Sequence, residues 1–134
     1  MSAPVMRTQT SLVRSIPMLC IMGGLFIASH IPGESLRLPA LLTMDKILHV
    51  AAYMVLGLSY SFAFPDVLWS RHSRKLSLTV LILCLLFGIS DEVHQAFVPG
   101  RNADSLDLVA DVTGGTIAAV LYPYLTAYIR NSSA

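Results

Sequence analysis

Charge is scarce in this sequence: Asp, Glu, Lys and Arg make up 13% of its 134 residues, against roughly 25% in an ordinary soluble domain. With 54% hydrophobic residues and a mean hydropathy of +0.66, the chain is expected in lipid rather than in water. Cysteine is equally thin. Cys20 and Cys84 sit inside apolar runs with no Cys-x-x-Cys spacing, so neither a disulfide framework nor a thiolate metal centre is indicated. No His-Glu-x-x-His segment is present. Basic residues are few and no nucleic-acid-binding loop occurs, which leaves a nucleic-acid partner without support. No repeat or low-complexity tract divides the chain, so residues 1–134 read as one domain.

What is present is a set of four apolar stretches, at 16–31, 47–69, 76–98 and 106–129. Each approaches the ~20 residues that a helix needs to cross the hydrocarbon core. Only helices and closed barrels satisfy the backbone in lipid, and none of these runs alternates as barrel strands do. The expected fold is all-α, an integral membrane bundle of four transmembrane helices. Arg7 and Arg14 precede the first run, as in a signal peptide, but Gly23, Gly24, Ala28 and Ser29 give no clean cleavage site, so it is read as a spanning helix. Trp69, Tyr122, Tyr124 and Tyr128 read as anchors at the membrane boundary.

Basic residues set the orientation. Arg7, Arg14, Arg71, Arg74, Lys75 and Arg130 fall on one side, and Arg37, Lys46 and Arg101 on the other, which predicts that both termini are cytoplasmic. Glu34, Asp45, Asp91, Glu92, Asp104, Asp107 and Asp111 then gather on the face away from the cytoplasm, and Asp66 alone stays behind.

Helical phase sharpens this convergence. Asp45, His49, Tyr53 and Tyr60 share one face of the second helix; Gly88, Asp91, Glu92 and Gln95 share one of the third; Asp107, Asp111, Gly114 and Ala118 share one of the fourth. Gly114 with Ala118, and Gly115 with Ala119, have the small-xxx-small spacing that lets helices approach closely; the alternative, that Gly23-Gly24 and Gly114-Gly115 only loosen their helices, is less favoured for the second pair. With Pro99 taken as the end of the third helix, Glu92 lies roughly 10 Å inside it. A polar pocket opening outward and closing near mid-membrane is expected.

Ionisable groups are costly in lipid and mark a working site by default. Asp45, Asp91, Glu92, Asp107 and Asp111 face only two permanent cations, Lys46 and Arg101, so protons or a cation must balance the excess. Three resolutions are open. A divalent metal among Asp91, Glu92, Asp107 or Asp111 with His49 or His94 is the least favoured, since no spacing signature supports it, and no cofactor is assigned. In the second, a neutral carboxylate acts as general acid or base, with Glu92 first, and Asp91, Asp107 and His49 as its catalytic companions. In the third, Lys46 and Arg101 each bond several carboxylates and the network is structural. Asp45, Lys46, Tyr53, Gln95, Arg101 and Asp111 are the candidate ligand-binding residues. Arg101 is read as a phosphate or carboxylate receptor in preference to a partner of Asp104 or Asp107. Of the histidines, His49 alone is placed in the pocket; His94 is turned partly aside, His30 ends the first helix, and His72 lies in the basic loop.

The run Ser90-Asp91-Glu92-Val93-His94-Gln95, the following Pro99-Gly100-Arg101, then Asp107 with Gly114-Gly115, together with Asp45-Lys46, His49 and Tyr53, resembles the VanZ family, over about His30 to Tyr122. The resemblance implies a small integral membrane protein. The family's name-giving member lowers susceptibility to teicoplanin, an antibiotic that acts on cell-wall precursors outside the membrane, which suits a pocket facing outward. Where the family commonly has Asn, this chain has Asp111, which puts a neutral hydrogen-bonding role there in doubt. The expectation is a protein of the bacterial plasma membrane that binds, and in one version modifies, a membrane lipid, a lipid-linked wall precursor or a lipoglycopeptide. The alternative is a non-enzymatic interaction or transport accessory. Because four short helices enclose little volume, a second copy completing the pocket is a further candidate partner.

Overall fold

Long runs of Leu, Ile, Ala, Val and Met leave the backbone no partner in lipid except itself, and the chain coils accordingly. The computed structural model describes residues 5–32 and 42–132. They form α1 (Val5–Ser29), α2 (Leu42–Ala63), α3 (Asp66–Gln95) and α4 (Ser105–Ser132), with no strand among the described residues. Each helix contains a segment long and apolar enough to cross a bilayer: Leu12–Ser29, Met44–Ala63, Asp66–Gln95 and Ser105–Ile129. The chain is an all-α, multi-pass membrane protein. Glu34 and Arg37 lie outside the described residues.

The helix boundaries depart from those expected. The second stretch, read as 47–69, is cut by Pro65, which has no N–H to donate and whose ψ of 142° carries the chain out of the helical region. Asp66 then opens α3, in a first turn whose exposed N–H groups favour negative charge. Arg71, Arg74 and Lys75, expected in a loop, therefore lie in α3, which is interrupted only at His72 (φ −136°, ψ 34°). At its other end α3 stops at Gln95, short of Pro99, so Glu92 sits about 5 Å from the helix end and not 10 Å. α1 begins well before residue 16 and α4 runs past 129.

Trp69 is also corrected. It belongs to α3 and is only 4% exposed. Its indole N–H donates to the Ser61 carbonyl at 3.0 Å and its ring meets Tyr122 at 4.9 Å, so a satisfied polar tip lets the whole ring enter the core. Tyr124 and Tyr128 do remain exposed.

Glycine sets the closest approach. A Cβ on Gly114 would run into the Val50 carbonyl oxygen and lie 2.8 Å from the Met54 nitrogen, so α4 can come this close to the α2 backbone only as glycine. Gly115 leaves room for Cys84 of α3, and Gly57 for Ala118. α4 is thus held tightly against α2 and α3 around a core of Tyr53, Leu56, Tyr60, Trp69, Val80, Cys84 and Ala119. α1 packs on α2 and touches α3. Much of α1 stays exposed, Leu12, Val13, Leu19 and Ile27 among it, at little cost, since acyl chains are as apolar as leucine. Gly23 and Gly24 face open space.

The two ends of the bundle carry different charges. At one end Arg14 pairs with Asp66 at 2.7 Å, donates to the carbonyls of Phe62 and Phe64 at 2.7 and 3.0 Å, and lies over the Phe62 ring. Exposed Arg71, Arg74 and Lys75 belong to this end. The remaining described carboxylates collect at the other.

Candidate functional site

At that acidic end, α2 supplies Asp45, Lys46, His49 and Tyr53, α3 supplies Asp91, Glu92 and Gln95, the following loop Arg101 and Asp104, and α4 Asp107 and Asp111. Lys46 is the hub. Its ammonium donates to Asp104 Oδ2 at 2.6 Å and to Asp107 Oδ1, and lies 3.5 Å from Asp45 Oδ2, so one cation ties α2 to the loop and to α4. The Lys46 ammonium, with the Leu106 N–H, holds the Asp104 carboxyl below the usual carboxylate range. Asp104 also turns its backbone N–H to Glu92 Oε2 at 2.7 Å, joining α3 to the same network.

Deeper in, His49 Nδ1 meets Asp111 Oδ1 at 2.8 Å while its Nε2 faces Asp107 Oδ2 at 3.8 Å. Gln95 donates to Asp91 Oδ2 at 3.0 Å and reaches Ser29 of α1 at 3.5 Å. Glu92, Asp91, Gln95, Asp107 and Asp111 are all buried, Asp111 completely. Gly88 makes that possible, since a Cβ there would lie 3.1 Å from Asp111 Oδ2. Three buried atoms have no hydrogen-bond partner among the described residues: the Tyr53 hydroxyl, Glu92 Oε1 and Asp111 Oδ2.

Beside this inner network lies a cavity of about 210 Å³ between α1, α2 and α3. Asp45, His49, Tyr53, Asp91, Gln95 and Arg101 form its polar wall, and Leu25, Ala28, Ile31, Leu48 and Ala52 its apolar wall. Leu25 and Ala52 also border a second hollow of about 280 Å³ lined by Cys20, Ile21, Gly24 and Val55, so the apolar side continues along the α1–α2 seam. The candidates thus divide into a cavity set and an inner set of Lys46, Glu92, Asp107 and Asp111, with His49 between them.

Arg101 pairs with neither Asp104 nor Asp107. Gly100, at φ 73°, takes a left-handed conformation open to glycine, and the Arg101 N–H closes the turn on the Val98 carbonyl at 3.1 Å. The guanidinium is thereby aimed at the end of α1, where it donates to the carbonyls of Ile31 at 3.2 Å and Ala28 at 3.1 Å. Of the two cations, only Lys46 bonds several carboxylates.

His94 joins His30, at 3.2 Å, with Phe26 against both rings, and no hydrogen bond or ion pair ties it to a carboxylate among the described residues. Asp104, expected on the acidic face but not among the candidate site residues, organises the network. Its signal is legible: an Asp just before Ser105, with its Oδ1 accepting the Leu106 N–H at 2.9 Å, is a helix-start residue. Ser29, reached by Gln95, carried no such signal.

Chemically, the site offers carboxylates and an imidazole open to a small cavity, one guanidinium with donors to spare, and inner carboxylates on Glu92 and Asp111 that no Lys or Arg among the described residues neutralises. Comparison with known proteins places it in a lineage. A protein of Schizosaccharomyces pombe, itself uncharacterized, is 31% identical over 103 residues, covering 77% of this chain. The matched segment spans 60% of that relative's length. No solved structure matches. The VanZ/LLP1 family model matches residues 6–127, nearly the whole chain including every polar residue of this site, and the protein belongs to the VanZ/LLP1 family.

Proposed function

We propose that this protein binds the head group of a membrane amphiphile in the cavity between α1, α2 and α3, with one tail lying in the α1–α2 seam. The observation that carries this reading is the change of lining across two adjoining hollows that share Leu25 and Ala52, from Asp45, His49, Asp91 and Arg101 in the first to Cys20, Ile21, Gly24 and Val55 in the second. A structural polar network needs no cavity and no apolar extension. Arg101 spends two of its five N–H donors on carbonyls and keeps the others for a phosphate oxygen. Asp45 and Asp91 on the same wall suit an amine. A head group carrying both, as in an aminophospholipid, matches this pairing; a lipid-linked wall precursor or a lipoglycopeptide shares parts of that chemistry. The distribution of basic residues supports an orientation with the cavity in the outer leaflet of a bacterial plasma membrane.

If chemistry follows binding, His49 is the group to move the proton, because it lines the cavity and also contacts Asp111. Any effect on lipoglycopeptide susceptibility would arise from capture of the drug or its precursor target in the same hollow. The test is lipid retention. Protein purified in mild detergent should carry a defined amphiphile, identified by mass spectrometry, and Arg101→Lys and Gly24→Leu should each lower its amount at least about tenfold with helical content unchanged, a loss of about 1.4 kcal/mol of binding. Equal retention by wild type and both variants, or a random sample of bulk lipid in all three, removes the proposal in favour of a structural network.

A further inference from the structure

The inner carboxylates pose a problem that the lipid cavity does not solve. Lys46 accounts for Asp45, Asp104 and Asp107, and Arg101 is directed to α1. Asp91 is met by the Gln95 amide, and Glu92 and Asp111 remain, 8% and 0% exposed, with no Lys or Arg beside them among the described residues. Among the described residues each keeps one oxygen without a hydrogen-bond partner, and the hydroxyl of Tyr53, a side chain 1% exposed, has none either. Buried polar atoms are nearly always satisfied, and unpartnered oxygens on two carboxylates of one cluster call for a ligand.

We propose that His49, Glu92 and Asp111 hold a divalent metal ion of the zinc or manganese type, with the Tyr53 hydroxyl at its edge. One ligand atom from each of the three residues lies within 4.8 Å of the others. His49 Nδ1 and Asp111 Oδ1, hydrogen-bonded at 2.8 Å, are near the roughly 3 Å that neighbouring ligands keep around an ion bound at ~2.1 Å, and the ion would displace the proton they share to solvent. An imidazole with two carboxylates suits such ions, whereas calcium takes six or more oxygens. The other ring nitrogen of His49 faces Asp107, itself held by Lys46, in the outer arrangement that orients metal-binding imidazoles. A second triplet, Asp45, His49 and Asp107, also clusters, but its carboxylates already share the Lys46 ammonium. The chosen set comes from three different helices, which is why no short sequence spacing announces it. The ion would neutralise the inner charge beside the cavity that His49 borders. This goes beyond the lipid reading and does not require it.

The experiment is metal analysis of the full-length protein in detergent, purified without chelator, followed by stripping and titration with Zn²⁺ and with Co²⁺, whose visible absorption reports the ligand field. The expected result is about one ion per chain, with Glu92→Gln and Asp111→Asn each weakening Zn²⁺ binding at least about tenfold. Asp66→Asn, at the opposite end, should leave it unchanged. Wild-type protein binding less than about 0.1 equivalents at micromolar Zn²⁺ overturns the proposal, and so does equal binding by Glu92→Gln. If Asp111→Asn fails to accumulate, the wild-type stoichiometry and Glu92→Gln still decide. Metal bound without any retained lipid would sustain this site while removing the lipid reading.

Discussion

Lys46 shows how much one side chain does here. It neutralises buried Asp107 and draws in Asp104 and Asp45. Removing it strands a carboxylate away from water, so Lys46→Met should cost about 3 kcal/mol of stability, read as a fall in thermal unfolding temperature in detergent. Adding Asp107→Leu to that variant should restore most of the loss; no restoration would mean that Lys46 acts elsewhere. The sequence made Asp45, His49, Tyr53, Asp91, Glu92, Gln95, Asp107 and Asp111 legible because helical period puts them on shared faces. It could not reveal the direction of Arg101, since the carbonyls at the end of α1 leave no mark on residue identity. His94 against His30 was hidden for the same kind of reason: the two meet only through packing of α1 on α3.

Among the helices, small residues decide the geometry. Gly114→Ala would push a methyl into the Val50 carbonyl and should force α2 and α4 apart, costing about 2 kcal/mol or more. Gly24→Ala meets nothing and should be neutral or stabilising by up to about 1 kcal/mol. Thermal unfolding of the two variants side by side checks the contrast, and equal effects would show that the α2–α4 contact is not the tight one. That difference between glycine pairs was only half readable from spacing, because Gly24 also has a small residue, Ala28, one turn on and yet meets no neighbouring helix. The break between α2 and α3 was harder to see, since hydropathy runs on almost without pause through Pro65 to Trp69. A missing N–H ends a helix where apolarity does not. The buried Trp69 follows from the same shift, because placing it on α3 turns its ring toward Ser61 and Tyr122.

For the whole molecule, two chemically distinct ends emerge from a chain with little charge. Basic residues and the Arg14–Asp66 pair mark one end; the carboxylates, His49, Lys46 and Arg101 mark the other. α1 contributes least to the core yet walls the cavity, through Leu25, Ala28 and Ser29, and its seam with α2 extends the hollow toward mid-membrane. The cavity's walls come from one chain, so the proposal needs no second copy. The most direct measurement of the central claim uses a photoactivatable aminophospholipid added to the outer leaflet of proteoliposomes or cells, with the labelled residues mapped by mass spectrometry. The account predicts labelling concentrated on the cavity and seam, at Leu25, Ala52 and Cys20, and its loss in Arg101→Lys. Labelling spread evenly over lipid-facing positions such as Val109, Val120 and Leu121, unchanged by that substitution, would contradict it.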